Sequence, residues 1–178
     1  MTDIPWAKIT LVEDENQLKF FDCGFNKVNE WAQSHGYAQN VSGRIRTWLC
    51  LSNANEVVGF FALKTIPLTL KSETNRLKSL AEGTSSSVLL AQMGLQKEHR
   101  GNGLGTHLVV EALRKALEAD KQSAVGSVTV DAATPELVPF YQENGFTLTR
   151  TEENRLVMKM SRVRKMVAAY NETRDERL

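Results

Sequence analysis

Just past the middle of the chain, Gln92-Met93-Gly94-Leu95-Gln96-Lys97-Glu98-His99-Arg100-Gly101-Asn102-Gly103-Leu104-Gly105-Thr106 sets glycines at every second position from 101 to 105. An apolar run precedes them and a helical spacing follows. Glycines remove side chains, so backbone N–H groups can point into one concavity, and the next helix adds its unsatisfied amides and positive dipole end. Such a turn can cradle a diphosphate. Arg100 either brings a full positive charge to its lip or serves the turn's own structure. A nucleotide-triphosphatase loop would end in Gly-Lys-Ser or Gly-Lys-Thr, whereas this run ends Gly105-Thr106-His107 with no lysine. A dinucleotide-binding turn needs G-x-G-x-x-G early in a βαβ unit, and here the order is G-x-G-x-G beyond mid-chain. The reading that competes with the cradle is a glycine-rich turn of no function.

A second chemical group is Tyr141, in Phe140-Tyr141-Gln142-Glu143-Asn144-Gly145-Phe146. A phenol near pKa ~10 can pass a proton to a thiolate near ~8.5 within a hydrogen bond. The same residue also reads as a core aromatic on a Leu137/Phe140 face. No base stands out. His99 and His107 flank the glycine turn, His35 lies on an earlier helix, and Asp131 ends a strand.

The elements that must position these groups follow from spacing. Ile9 to Val12 reads as a first strand. Asn26 reads as the cap of a helix carrying Val28, Trp31, Ala32 and His35 on one face. Trp48 to Leu51 and Val57 to Leu63 form a hairpin around Ser52 to Glu56, which Pro67 ends. Lys71 to Ser87, rich in serine and lysine, reads as a surface loop. Val88 to Leu95 reads as a buried strand. From Leu104 the period becomes helical, with Leu108, Ala112 and Ala116 on one line and Val109, Leu113 and Leu117 beside it. Val125 to Val130 is a strand. Thr134-Pro135 caps a helix that stops at Asn144-Gly145, and two strands, Phe146 to Leu148 and Leu156 to Met160, close around Glu152 to Asn154. This order predicts a mixed α/β sheet in one domain over residues 1–160. Residues 161–178 form an amphipathic segment whose stripe of Val163, Met166, Val167 and Tyr170 either packs on this chain's own core or a second subunit, or serves as a helix for a regulatory partner.

Composition narrows the class. With 178 residues and 42% hydrophobic content, the chain can bury a core without disulfides or structural metal. Cys23 and Cys50 form no C-x-x-C pair, so reduced, partly buried thiols and no metal are expected. No signal-peptide pattern and no apolar run of about 18 residues is visible, which predicts a cytoplasmic protein with no membrane association. Twenty-two basic and 21 acidic side chains leave a formal net charge of +1, so any polyanion site must be a local patch.

The stretch Arg100-Gly101-Asn102-Gly103-Leu104-Gly105 resembles the Q/R-x-x-G-x-G/A signature of the GNAT acetyltransferase superfamily. Phe140 to Phe146 resembles that superfamily's later F-Y-x-x-x-G-F signature. The resemblance covers Val88 to Phe146, and the two motifs together are far more specific than either alone. It implies the GNAT acyl-CoA N-acyltransferase fold, a mixed central sheet with splayed parallel strands and flanking helices. It also implies acetyl-CoA as cosubstrate, held by Met93, Gly94, Leu95, Arg100, Gly101, Asn102, Gly103, Leu104, Gly105 and Thr106. Pantetheine would pair with the strand around Met93 to Leu95. Gly94 would lie near a bulge that frees a backbone donor for the thioester oxygen. Tyr141 carries over as the general acid that protonates the departing thiolate.

Phe21-Asp22-Cys23-Gly24, the helix through Trp31, and Ser42-Gly43-Arg44-Ile45-Arg46-Thr47 are similar to the amino-terminal half of the acetyltransferase toxins of bacterial toxin–antitoxin modules. That likeness implies the α-amine of aminoacyl-tRNA as acceptor, a small DNA-binding antitoxin as partner, and a homodimer. An α-amine titrating near ~7.7 to 8.0 is partly nucleophilic at neutral pH, which suits a site without an evident base. Arg44, Arg46, Lys64, Lys71, Arg76 and Lys78, with Lys97 and Arg100, then become candidate contacts to RNA phosphates around the acetyl site. Two other readings stay open: an acetyltransferase for a small amine or a protein amino terminus, and a coenzyme A-binding module without catalysis.

Overall fold

The computed structural model describes residues 3–69, 77, 85–150 and 152–175. Lys71, Arg76 and Lys78 lie outside them. The strand order is β1-β2-β3-β4-β5-β7-β6, and the chain divides into two compact units, Met1–Lys64 with Leu90–Ala112 and Thr65–Leu89 with Leu113–Leu178.

In the first unit, β1 (Lys8–Leu11) pairs antiparallel with β2 (Arg46–Leu51), which pairs antiparallel with β3 (Val57–Leu68). The hairpin loop closes through the Ser52 amide on the Glu56 carbonyl, with Asn55 in the left-handed region that asparagine tolerates. A bulge between Cys50 and Leu51 leaves Val58 out of register, and its carbonyl accepts the Gln96 amide at 2.9 Å instead. Gly59 permits the approach of the next strand, because a Cβ there would stand 2.9 Å from the Gly94 carbonyl oxygen. Phe60, Phe61 and Ala62 are fully buried in succession, as a central strand covered on both faces requires. Pro67 does not end this strand, which continues to the buried Leu68.

Helix α1 (Asn26–Val41) lies over this ladder, with Trp31 stacked on Phe60 at 5.8 Å and Phe21 edge-on to the same ring at 4.9 Å. Its cap is Phe25 rather than Asn26, and Phe25 makes no side-chain cap bond. The buried line runs Ala32, Gly36, Asn40, while His35 is exposed. Gly36 is chosen over a larger residue by contact, since a Cβ there would meet Leu18 Cδ1 at 2.8 Å. Asn40 is satisfied in the interior, accepting from the Thr47 amide and donating to the Val12 carbonyl.

In the second unit, β4 (Ser85–Leu95) starts three residues before the sequence reading placed it. The Gly126 amide donates to the Ser86 carbonyl, and Ser87 Oγ bonds the Ser127 carbonyl and Thr129 Oγ1. Residue numbers rise together on both sides, so β4 and β5 (Ser127–Asp131) start side by side and run parallel. Ser87, Ser127 and Thr129 are all fully buried. Their hydroxyls satisfy one another, which is why a polar stretch is core here rather than loop.

β5 pairs antiparallel with β7 (Arg155–Lys159), and β7 with β6 (Thr147–Leu148). Helix α3 (Val138–Glu143) follows a 3-10 turn at Pro135–Leu137. Thr134 stands at the cap, but its hydroxyl serves the Glu136 carboxylate rather than a helix amide. Helix α4 (Met160–Asp175) continues directly from β7 and buries Met160, Val163 and Val167. Arg164 pairs with Asp120 of α2 (Leu104–Gln122), and Arg114 of α2 bonds Asn171 and lies over the Tyr170 ring. The stripe on α4 therefore packs against its own chain. At the chain reversal before it, Gly145 has φ +91°, and a Cβ there would meet Met166 Sδ at 2.7 Å.

Candidate active site

Met93, Gly94 and Leu95 are the last residues of β4. A Cβ on Gly94 would sit 3.2 Å from the Phe21 ring and from Val28 Cγ1, so this end of the strand is closely covered. A 3-10 turn, Lys97–His99, leads to Arg100. Gly101 and Gly103 then adopt φ +79° and +74°, and Leu104, 3% exposed, anchors the first turn of α2, which also carries Gly105 and Thr106. Nothing stands within 4 Å of a Cβ built on Gly101 or Gly103. Both glycines are therefore required by backbone conformation rather than by crowding. The space over Arg100 to Gly103 is open, and the amides of the first helical turn have no partner four residues back. A diphosphate fits this chemistry: room, backbone donors and a positive helix end.

The side chains of this loop face a segment that sequence reasoning did not connect with it. Asp22 Oδ1 accepts the Gly24 amide and Asn29 Nδ2, both at 2.9 Å, while Oδ2 pairs with Lys97 Nζ at 2.5 Å. The Lys97 amide donates to the Asp22 carbonyl, and the Asp22 amide donates to Gln96 Oε1. Arg100 Nη1 donates to the Cys23 carbonyl at 3.0 Å, and its guanidinium lies 4.4 Å from the Phe25 ring centre. Lys97 beside Asp22, with the Gly24 amide and Asn29, holds that carboxyl down at about 2. Nothing local to Asp22-Cys23-Gly24 shows that it is fastened to residues some 75 positions later. The Arg100 guanidinium is thus committed to the Cys23–Phe25 turn.

Arg44, Arg46 and Lys64 are exposed. Arg46 pairs in register with Leu63, next to Lys64, and its Nη1 donates to the Asn40 carbonyl at 2.9 Å. These three cations gather at one end of the β2–β3 ladder. The glycine loop enters at the other end, where Val58 holds Gln96. Six residues of β3 separate the two, roughly 20 Å at strand rise. The basic cluster therefore lies apart from the glycine loop.

Tyr141 lies in α3, 6% exposed, with its ring edge-on to Phe140 at 5.1 Å and to Phe146 at 5.9 Å. Burial alone pushes its phenol up to about 12. Among the described residues its phenol oxygen has no hydrogen-bond partner. Asp131, one of the groups weighed as a base, has both oxygens engaged by Arg155, at 2.7 and 2.9 Å. Among the described residues, no group of three or more His, Cys, Asp or Glu could hold a metal ion, and no helix is long and apolar enough to cross a membrane.

The acetyltransferase (GNAT) domain family matches residues 22–167, and the chain belongs to that family. A curated relative, a tRNA-acetylating toxin of Mycobacterium tuberculosis, is 22% identical over 156 residues, covering 88% of this chain and 93% of its own. Among solved structures, AtaT complexed with acetyl-methionyl-tRNAfMet superimposes with a TM-score of 0.78 at 20% identity, over 89% of this chain and 98% of that one. A tyrosine-to-phenylalanine mutant of AtaT, bound to acetyl-CoA and the C-terminus of the antitoxin AtaR, gives 0.75 at 20% identity, over 89% and 96%. At these identities the likeness establishes a shared fold.

Proposed function

We propose that this protein is an acetyl-CoA-dependent N-acetyltransferase acting on the α-amine of aminoacyl-tRNA, the toxin of a toxin–antitoxin pair. The observation that carries the acetyl-CoA assignment is the open cradle at Gly101 and Gly103 over the head of α2, in a chain of the GNAT family. The acceptor assignment rests on likeness over nearly full length to a tRNA-acetylating toxin. The exposed Arg44, Arg46 and Lys64, apart from the diphosphate cradle, supply cations for the acceptor's phosphates.

In this reading the diphosphate sits on the amides from Gly101 to Thr106, and pantetheine runs along Met93 to Leu95. The neutral α-amine attacks the thioester carbonyl carbon. The C–S bond then breaks, the amine nitrogen loses its proton to water, and Tyr141 offers its phenolic proton to the departing sulfur. Because burial keeps that phenol protonated, Tyr141 acts as a permanent donor and not as a titrating acid in the neutral range. An antitoxin that binds the protein and a homodimeric assembly belong to the same reading. Analytical ultracentrifugation, alone and with the neighbouring gene product, checks both.

The test is transfer of labelled acetyl from acetyl-CoA to a pool of charged tRNA by wild type and Tyr141→Phe. Label on aminoacyl-tRNA that is lost in the variant, with growth arrest on expression relieved by the same substitution, is the expected result. Bound acetyl-CoA without labelled tRNA overturns the acceptor and moves it to small amines or peptide amino termini. Bound acetyl-CoA without thiol release for any acceptor overturns catalysis.

A further inference from the structure

We propose that Asp22 is a positioning residue for the coenzyme site, holding the stem of the glycine loop so that its amides are aimed before coenzyme A arrives; this rests on the acetyl-CoA reading above. The stem is Gln96 to Arg100, the five residues between the end of β4 and Gly101. It is fastened to Phe21–Phe25 at three levels. Gln96 is held by its side chain on the Asp22 amide and by its own amide on Val58. Lys97 is held by its backbone amide and its ammonium, both on Asp22. Arg100 is held on the Cys23 carbonyl and the Phe25 ring. Beyond Arg100, two positive-φ glycines stand in open space ahead of the anchored Leu104, so the direction in which the amides from Gly101 to Gly103 point is set on the near side by the stem.

Asp22 is the common node. One carboxylate oxygen fixes the Gly24 turn and, through Asn29, the first turn of α1, and the other fixes Lys97. The Gly24 turn in turn presents the Cys23 carbonyl to Arg100. Gly24 itself has φ +84° and lies so close to that guanidinium that a Cβ would be 3.0 Å from Nη1. Preorganised donors bind an anion without the entropy of ordering them, so loosening the stem shows as lost coenzyme affinity.

The opposite view, in which Lys97 is a phosphate ligand that Asp22 merely sequesters, makes the opposite prediction for one variant. Coenzyme A binding is measured by titration calorimetry with wild type, Asp22→Asn, Lys97→Met and the double variant, each with its melting temperature. As a control, Val12→Ala lowers stability in the same unit without touching the stem. Steady-state kinetics with acetyl-CoA and charged tRNA accompany them.

On our proposal both single variants weaken coenzyme A binding by about tenfold, and the double variant is no weaker than the worse single, because one linkage is lost in all three. KM for acetyl-CoA rises with the dissociation constant, while kcat and KM for charged tRNA stay within about twofold. The Val12→Ala control binds coenzyme A as wild type does. Tighter binding by Asp22→Asn overturns the proposal, as does unchanged binding in both single variants or equal weakening in the control. Should Asp22→Asn fail to fold, Gln96→Leu takes its place: it removes the stem's bond to the Asp22 amide and keeps the Lys97–Asp22 pair, so weakened coenzyme A binding supports the stem and unchanged binding overturns the proposal. Wild type that binds no coenzyme A overturns the parent reading together with this one.

Discussion

Replacing Tyr141 by phenylalanine removes one oxygen and leaves the ring between Phe140 and Phe146, so packing is retained and only the proton donor is lost. The rise of its phenol from 10 to about 12 corresponds to about 3 kcal/mol against ionisation in the folded chain, at about 1.4 kcal/mol per pKa unit. At pH 9 only about one molecule in a thousand carries the phenolate. The sequence argument matched a phenol near ~10 to a thiol near ~8.5. Burial widens that gap to about 3.5 units, or about 5 kcal/mol for full proton transfer in the resting site. The contribution is therefore a hydrogen bond to sulfur as C–S cleavage proceeds, with transfer late.

A positioned donor of this kind contributes about 10²- to 10⁴-fold. Tyr141→Phe should lower kcat by that factor, read as free thiol released, and leave the dissociation constant of acetyl-CoA within about twofold. The pH profile of wild-type kcat should show no fall from Tyr141 below about pH 11. The associated stability runs the same way. A raised folded pKa stabilises the fold fully below pH 10, and the contribution is lost as pH climbs from 10 towards 12. More than a tenth of wild-type kcat remaining in Tyr141→Phe, or a difference titration at 295 nm placing this phenol at or below its ordinary pKa, refutes the argument.

Gly103→Ala should cost about 1–2 kcal/mol of stability by urea titration, from the left-handed backbone alone, because the added methyl enters open space. Asp131→Asn should leave kcat and its acid limb nearly unchanged and lower stability by less than about 1 kcal/mol, since the half-exposed pair with Arg155 already occupies this carboxylate; a loss of a hundredfold in kcat would make it the base after all. Arg44→Ala and Lys64→Ala should each raise KM for charged tRNA and reduce the salt slope of RNA binding by about one, while acetyl-CoA affinity holds. Cys23 and Cys50, both free and buried with thiols pushed up chiefly by desolvation, should not react with a disulfide reagent until the chain unfolds; two thiols titrating in the native state would contradict this.

Several features were legible because their causes are local. The 3.6-residue period from Leu104 specifies α2, the two β-rich runs on either side of Ser52 to Glu56 specify the hairpin, and glycines at 101 and 103 stand where the backbone is left-handed. Even the stop at Asn144-Gly145 follows from glycine's freedom at φ +91°. Each needs only neighbours within a few residues. The misreadings share the opposite cause. Ser87 reads as loop because hydroxyls usually seek water, and here Ser127 and Thr129, some 40 residues on, satisfy it. The spacing groups His35 with Val28, Trp31 and Ala32 on one face of α1, but only the approach of Leu18 shows that the buried line passes through Gly36.

The candidate site divides in the same way. Residue type and spacing determined that this chain carries a glycine-built turn at a helix start and a phenol before a second glycine turn. Only the tertiary structure decided what those groups are made of energetically. It gave Asp22 to Lys97 and Arg100 to Cys23, so two cations that looked available for phosphate are already engaged, and it set Arg44, Arg46 and Lys64 at the far end of the β2–β3 ladder. It also buried Tyr141, turning an ordinary phenol into one that keeps its proton. Partner choice and desolvation depend on which distant segments meet, and a linear pattern holds no record of that meeting.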